Sequence, residues 1–188
     1  TKNEVCDWFS CAKTLPIYSQ IKNSSKVTAA VFVPDVYLDL AKKMNDKYGL
    51  HILLGAQNVS AFQNGAHTGE TTAAMLSEFV SHVIIGHSER RKEHKEDDEV
   101  LSQKVLRAQE KDLKTIYCVQ NEETTVPAGV SVVAYEPLFA IGTGLADTPQ
   151  NANEVVRNIK KRWHINTVIY GGSVTAKNIK DYLLTDSI

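Results

Sequence analysis

Val130-Ser131-Val132-Val133-Ala134-Tyr135-Glu136-Pro137-Leu138-Phe139-Ala140-Ile141-Gly142-Thr143-Gly144 is the stretch on which the fold turns. Its opening apolar run predicts a buried strand, and a carboxylate stands abruptly at the end of it. Pro137 keeps Glu136 extended rather than helical. Two glycines inside a short apolar segment then suit a loop that closes over something and offers its backbone N–H groups. An acid at a strand's C-terminal end, backed by a hinged, water-excluding segment, is the pattern of a general base under a lid. The same residues also describe a surface turn, so the remaining chain has to decide.

Upstream and downstream, short apolar runs alternate with helical patterns. Strands are predicted at Val27–Val33, His51–Ala56, Val83–Gly86, Thr115–Val119 and Thr167–Tyr170. Residues 3–14 read as a helix with Val5, Trp8, Phe9 and Ala12 on one side and Pro16 ending it. Pro34-Asp35 opens a second helix carrying Tyr37, Leu40, Ala41 and Met44, with Gly49 as its stop. A helix over Thr71–Val80 would turn Ala74, Met75 and Phe79 inward, and one over Lys95–Lys111 presents Leu101, Val105 and Ala108. Thr148-Pro149 is a helix start, with Ala152, Val155, Val156 and Ile159 on the buried face. Thr175 is expected to cap a last helix with Ile179 and Leu183 inward.

Strands that are continuous apolar runs are buried on both faces, which means a parallel sheet covered by helices. No Gly-rich dinucleotide fingerprint follows an early strand, which weakens a Rossmann arrangement. The polar and Gly-bearing segments all follow strands, where α/β barrels and open sheets both place their chemistry.

At 188 residues the chain can bury a substantial core as one domain over 1–188. A formal net charge of −1 argues against nucleic-acid or membrane-surface binding by bulk electrostatics. No apolar run approaches the ~20 residues of a membrane helix. Thr1-Lys2-Asn3-Glu4 does not read as a signal peptide. The three cysteines, Cys6, Cys11 and Cys118, include no C-x-x-C, so a reducing compartment is expected and no zinc site.

Six segments together resemble the triosephosphate isomerase family. They are Gly55-Ala56-Gln57-Asn58-Val59-Ser60, Gly65-Ala66-His67-Thr68-Gly69-Glu70 and Ile84-Ile85-Gly86-His87-Ser88-Glu89-Arg90-Arg91, then Tyr135-Glu136-Pro137, Ala140-Ile141-Gly142-Thr143-Gly144 and Tyr170-Gly171-Gly172-Ser173-Val174. They occur in the family's order and span most of the chain. The resemblance implies a carboxylate base paired with a neutral imidazole.

The resemblance implies Glu136 as base, His87 as the neutral electrophile on the carbonyl and enediolate oxygens, and Glu89 as a second carboxylate organising the site. It implies that Gly142 and Ser173, with the Gly171-Gly172 turn, hold the phosphate through backbone N–H groups, while Ile141 desolvates the base. Cys118 matches a position beside the site; as a lone buried cysteine it reads as packing. Gln63–Glu70 resembles the projecting interface loop of a homodimer or higher homo-oligomer, with Thr68 and Gly69 reaching towards a partner and Glu70 available to Arg91. The expected substrate is a triose phosphate, used without cofactor or metal, in cytoplasmic glycolysis and gluconeogenesis.

Departures from the family's pattern qualify the expectation. Its first strand carries an Asn and a catalytic Lys that no stretch here matches, since Lys2-Asn3 begins a predicted helix. An eighth strand would begin where the sequence stops at Ile188. Gln120–Gly129 is too short for the usual crossover helix. Leu138-Phe139 and Leu145-Ala146-Asp147 replace the commoner hinge residues.

The fold expected is therefore α/β, an incomplete TIM (β/α)8-type barrel with six of eight strands and a shortened connection in place of the fifth helix. Open sheet edges would favour association and leave the chain with little or no isomerase activity unaided. Two alternatives stand beside the isomerase: a truncated, catalytically inactive barrel serving as a folding or assembly unit, and another sugar-phosphate barrel enzyme.

Overall fold

Local signals place most elements, and tertiary contacts trim them. The computed structural model describes residues 1–16, 27–141 and 143–188. These fall into two units, Thr1–Ile84 with Arg107–Leu113, and Ile85–Leu106 with Lys114–Ile188.

In the first unit, helix α1 (Lys2–Ala12) buries Phe9 and Ala12 and packs on α2 (Leu38–Tyr48). Strand β1 (Ala30–Val33) is shorter than the apolar run predicts. Gly49 ends α2 in the left-handed region, φ 59°, as its stop signal requires. Strand β2 (Leu53–Ala56) starts late because His51 has φ 57° and cannot enter a ladder. β1 and β2 run parallel from Ala30 opposite Leu53 to Val33 opposite Ala56. β3 (His82–Ile85) continues the sheet, with Gly55 opposite His82. Gly55 has to be glycine, because a Cβ there would lie 2.0 Å from the Phe32 ring.

Two expected helix faces are wrong, the first on α3. Helix α3 is a single turn, Ala73–Leu76, capped by the Thr72 hydroxyl, which accepts the Met75 N–H at 3.5 Å. Ala73 and Leu76 are buried and Met75 is 46% exposed. Ala74 and Phe79 are half-buried. On one turn only the i,i+3 pair shares a face, and the cap sets its phase.

The second unit opens with α4 (Ser88–Glu93) and the start of α5 (Asp98–Gln109). α5 begins three residues later than the pattern predicts. Lys95 has φ 53°, and Asp97 Oδ1 accepts the Val100 N–H at 2.9 Å as a helix cap. Leu101, Val105 and Ala108 are buried as expected. Strands β4 (Lys114–Val119), β5 (Val132–Tyr135) and β6 (Val168–Tyr170) run parallel. The pairs are Cys118 opposite Ala134, Val119 opposite Tyr135, and Tyr135 opposite Tyr170. Between β4 and β5 there is no helix; Asn121 Oδ1 instead accepts the N–H groups of Glu123 and Thr124 at 3.1 and 2.9 Å.

Helix α6 (Pro149–Trp163) starts at the predicted cap, Thr148, whose hydroxyl accepts the Asn151 N–H. It buries Ala152, Val156 and Ile159, with Val155 half-buried, and packs on β6. The last helix, α7 (Ile179–Leu183), begins later than Thr175 and turns the other way from the expectation. Ile179 and Leu183 are 44% and 71% exposed, whereas Tyr182 is 3% exposed. The stacking of Tyr182 on Tyr170, centroids 4.7 Å apart, sets the phase of this short helix.

The described residues thus carry six strands in parallel pairs with helices between them. This is the α/β class, an incomplete (β/α)8-type barrel with six of its eight strands. No described helix is long and apolar enough to cross a membrane.

Candidate active site

The register of β4, β5 and β6 brings three strand ends to one level, and Glu136 leaves the middle one. Its N–H donates to the Val119 carbonyl at 2.8 Å, and the Gly171 N–H donates to the Tyr135 carbonyl at 2.8 Å. Both neighbours therefore hold the backbone beside the acid. The carboxylate is 7% exposed. Its Oε1 accepts the Cys118 thiol at 3.2 Å, and its Oε2 is buried with no partner among the described residues. Burial pushes the Glu136 carboxyl above its ordinary range; His87, the Cys118 thiol and the Ser88 backbone offset part of that rise. Burial, with Glu136 beside it, pushes the Cys118 thiol well up, so Cys118 is a fixed donor to the carboxylate. Packing alone does not describe this cysteine, and all three cysteines are free.

His87 closes the other side. As the residue preceding α4 it stands at the helix N-terminus, and its Nδ1 accepts the Glu89 N–H at 3.3 Å. An Nδ1 that accepts an amide proton leaves the ring's own proton on Nε2. That Nε2 lies 3.6 Å from Glu136 Oε1. The gap is too long for a hydrogen bond and faces the acid with a donor. The Glu89 carboxylate is 69% exposed, with Oε2 3.6 Å from His87 Nδ1.

Glycine and arginine hold this arrangement in place. A Cβ on Gly171 would lie 2.9 Å from Glu136 Cγ, and one on Gly172 would lie 2.1 Å from the Tyr170 hydroxyl. The turn after β6 is thus cut to fit the base and a tyrosine. Arg91 donates through Nε to the Gly86 carbonyl at 2.8 Å and through Nη2 to the Tyr117 hydroxyl and the Cys118 carbonyl at 3.1 and 3.2 Å. It braces the residue before His87 against the strand that carries Cys118. Nearby, Glu96 accepts from Arg90 and Lys104 at 2.7 and 2.6 Å. Against the upward push of its own burial, those two cations hold its carboxyl below the ordinary range.

The remaining expected site residues sit as follows. The Ser173 hydroxyl donates to the Ala140 carbonyl at 2.5 Å, tying the turn after β6 to the segment after Glu136. Ile141 follows a 3-10 turn, Leu138–Ala140, and is half-buried. Gly142 lies outside the described residues. In the first unit, Thr68, Gly69 and Glu70 are exposed; Gly69 has φ 88°, and the Glu70 N–H donates to the His67 carbonyl at 3.1 Å. Within that loop Phe62 stacks on His67, centroids 4.2 Å apart. The Glu96 cluster is local in sequence, its partners six and eight residues away, whereas the Cys118 bond and the far reach of Arg91 are not. The Cys118–Glu136 bond and the reach of Arg91 to Tyr117 and Cys118 span 18 to 27 residues, beyond any local window.

The fold is that of an incomplete α/β barrel, with a buried acid and a helix-capping imidazole at the C-terminal ends of its parallel strands. Comparison narrows the class. The family model described as triosephosphate isomerase matches residues 11–131 and 125–188, with the join inside the short β4–β5 connection. The chain belongs to the triosephosphate isomerase family. The triosephosphate isomerase of Caldanaerobacter subterraneus subsp. tengcongensis is 40% identical over 193 residues, covering 85% of this chain and 78% of that protein. Those of Escherichia coli and Shigella boydii are 38% identical over 183 residues, covering 79% of this chain and 70% of theirs.

Proposed function

We propose that this chain interconverts dihydroxyacetone phosphate and D-glyceraldehyde 3-phosphate. Glu136 takes the proton from the carbon beside the carbonyl and returns it to the neighbouring carbon. His87 Nε2–H hydrogen-bonds the oxygens of the enediolate formed between the two transfers. Glu89 holds the imidazole's orientation through its backbone N–H, donated to Nδ1. The observation that carries the reading is the pairing of a buried carboxylate, its pKa raised by burial, with an imidazole donor 3.6 Å away. A base poised above the ordinary carboxylate range is a better proton acceptor for a weak carbon acid.

The phosphate is taken by uncharged N–H groups at Gly142 and Ser173 and by the Gly171-Gly172 turn. Ile141 excludes water from the base when the segment closes. Thr68, Gly69 and Glu70, together with Arg91, belong to the contact of a homo-oligomer, and the reaction serves glycolysis and gluconeogenesis in the cytoplasm. A coupled isomerase assay tests the reading. It is run on the chain and on the same chain extended by an Asn-Lys-bearing first strand and an eighth strand. Turnover that falls by about 10³-fold or more in Glu136→Gln supports Glu136 as base. An inert extended chain would refute it and leave a non-catalytic assembly unit.

A further inference from the structure

The first unit holds a cavity that no step of the proposed reaction uses. It measures about 400 Å³, within the range that encloses small ligands. Phe62 and Asn64 line it from the loop after β2, and Thr72 and Ala73 from the start of α3. Arg107, Glu110 and Lys111 line it from the end of α5 and just beyond. All of them lie within Thr1–Ile84 or Arg107–Leu113.

Arg107 gives the cavity its character. Its side chain is 13% exposed and donates through Nη1 to Glu110 Oε2 at 2.9 Å. Its Nε is buried with no partner among the described residues. Nε and Nη2 form another edge of the guanidinium plane, a fork that grips both oxygens of one carboxylate. A buried cationic N–H without an acceptor is costly, and an anion in the cavity supplies the acceptor. Asn64 adds a second donor. Its Oδ1 accepts the Thr72 hydroxyl, whose oxygen in turn accepts the Met75 N–H at 3.5 Å. With the amide oxygen used in this way, the Nδ2 protons are left for a ligand. Arg107 and Lys111 against Glu110 leave one net positive charge on the walls. A monoanion matches that charge, and a phosphate dianion exceeds it. Phe62, 51% exposed, and Ala73 add an apolar wall. An aromatic ring beside a cationic fork suits a flat apolar body carrying one acid group.

We propose that this cavity binds a small aromatic carboxylate, with Arg107 gripping the acid group and Phe62 packing on the ring. The site shares no residue with the one around Glu136 and stands whether or not Glu136 is the base. A plainer role is also open to Arg107, since a cation in the last turn of α5, paired with a residue three further on, stabilises a helix. That role predicts no saturable binding here.

The experiment titrates benzoate into the whole chain and follows backbone amide signals by NMR, with benzamide and inorganic phosphate as comparison probes. Benzoate should saturate with a Kd of about 1 mM or tighter and move the amides of Phe62, Asn64, Thr72 and Lys111. Benzamide keeps the ring without the charge, and phosphate has no ring; each should bind about tenfold more weakly or not at all. Arg107→Gln should weaken benzoate binding about tenfold or more. Should that variant fail to fold, Phe62→Ala alters only an exposed ring and should weaken binding about threefold or more at an unchanged unfolding midpoint. Shifts that grow linearly with benzoate, or that are confined to the amides of His87, Glu136 and Gly171, overturn the proposal. So does either folded variant binding benzoate as tightly as wild type, or phosphate or benzamide binding as tightly as benzoate.

Discussion

Replacing Glu136 by Gln should stabilise the chain at neutral pH and do so less in acid. The carboxylate is 7% exposed, its Oε1 has one thiol donor, and its Oε2 has no partner among the described residues. A buried unsatisfied polar atom costs about 1–3 kcal/mol, and more when it is charged. Gln preserves the shape and the acceptor for Cys118 but leaves an unpaired N–H group. The recovered part is therefore the charged excess, about 1–2 kcal/mol.

The pH dependence has a definite sign. The folded carboxyl keeps its proton to higher pH than the ordinary value of 4.5. Between those two values the folded state binds more protons than the unfolded one, so stability falls as pH rises through the folded value. Glu136 thus costs nothing below the ordinary range and its full amount above the folded pKa. Urea unfolding of both proteins at about pH 4 and pH 8 measures this. At the higher pH the Gln variant's midpoint should rise by roughly 0.5–1 M relative to wild type, for a slope of about 2 kcal/mol/M. A Gln-minus-wild-type difference that is equal at both pH values, or that favours wild type at pH 8, would refute the claim that this acid is buried at a cost.

Two further perturbations follow from the same geometry. In Gly171→Ala the new Cβ would stand 2.9 Å from Glu136 Cγ. Carbons normally keep about 3.5 Å apart, so the base should shift by roughly 0.5 Å and kcat fall about 10- to 100-fold, read by steady-state kinetics beside an unfolding midpoint. Arg91→Lys keeps the charge and loses the fork that reaches Gly86, Tyr117 and Cys118 together. It should cost about 2–3 kcal/mol in urea unfolding, and a near wild-type midpoint would show that the brace is dispensable.

Residues adjacent in the chain determined much of this protein. Continuous apolar runs such as Val132–Tyr135 mark strands buried on both faces. Thr148-Pro149 and Gly49 mark helix ends, because caps are satisfied by neighbours within one turn. The bare connection after β4 was legible because ten or so residues cannot form a helical crossover. Glu136 was legible as a candidate because Pro137 fixes the backbone around it locally, whereas His87 entered through the family resemblance of Ile84–Arg91.

Tertiary structure decided what depends on register. The short helix α7 took its buried face from an outside partner, Tyr182 winning over Leu183 by stacking on Tyr170. Cys118 became a donor to Glu136 only because β4 and β5 align Cys118 with Ala134. Asp147, a hinge residue in sequence, became the point on which Tyr135, Tyr170 and Tyr182 converge. Local chemistry sets the conformation of a few consecutive residues. Which distant groups then meet is set by strand pairing and packing, and no short window of sequence carries that information.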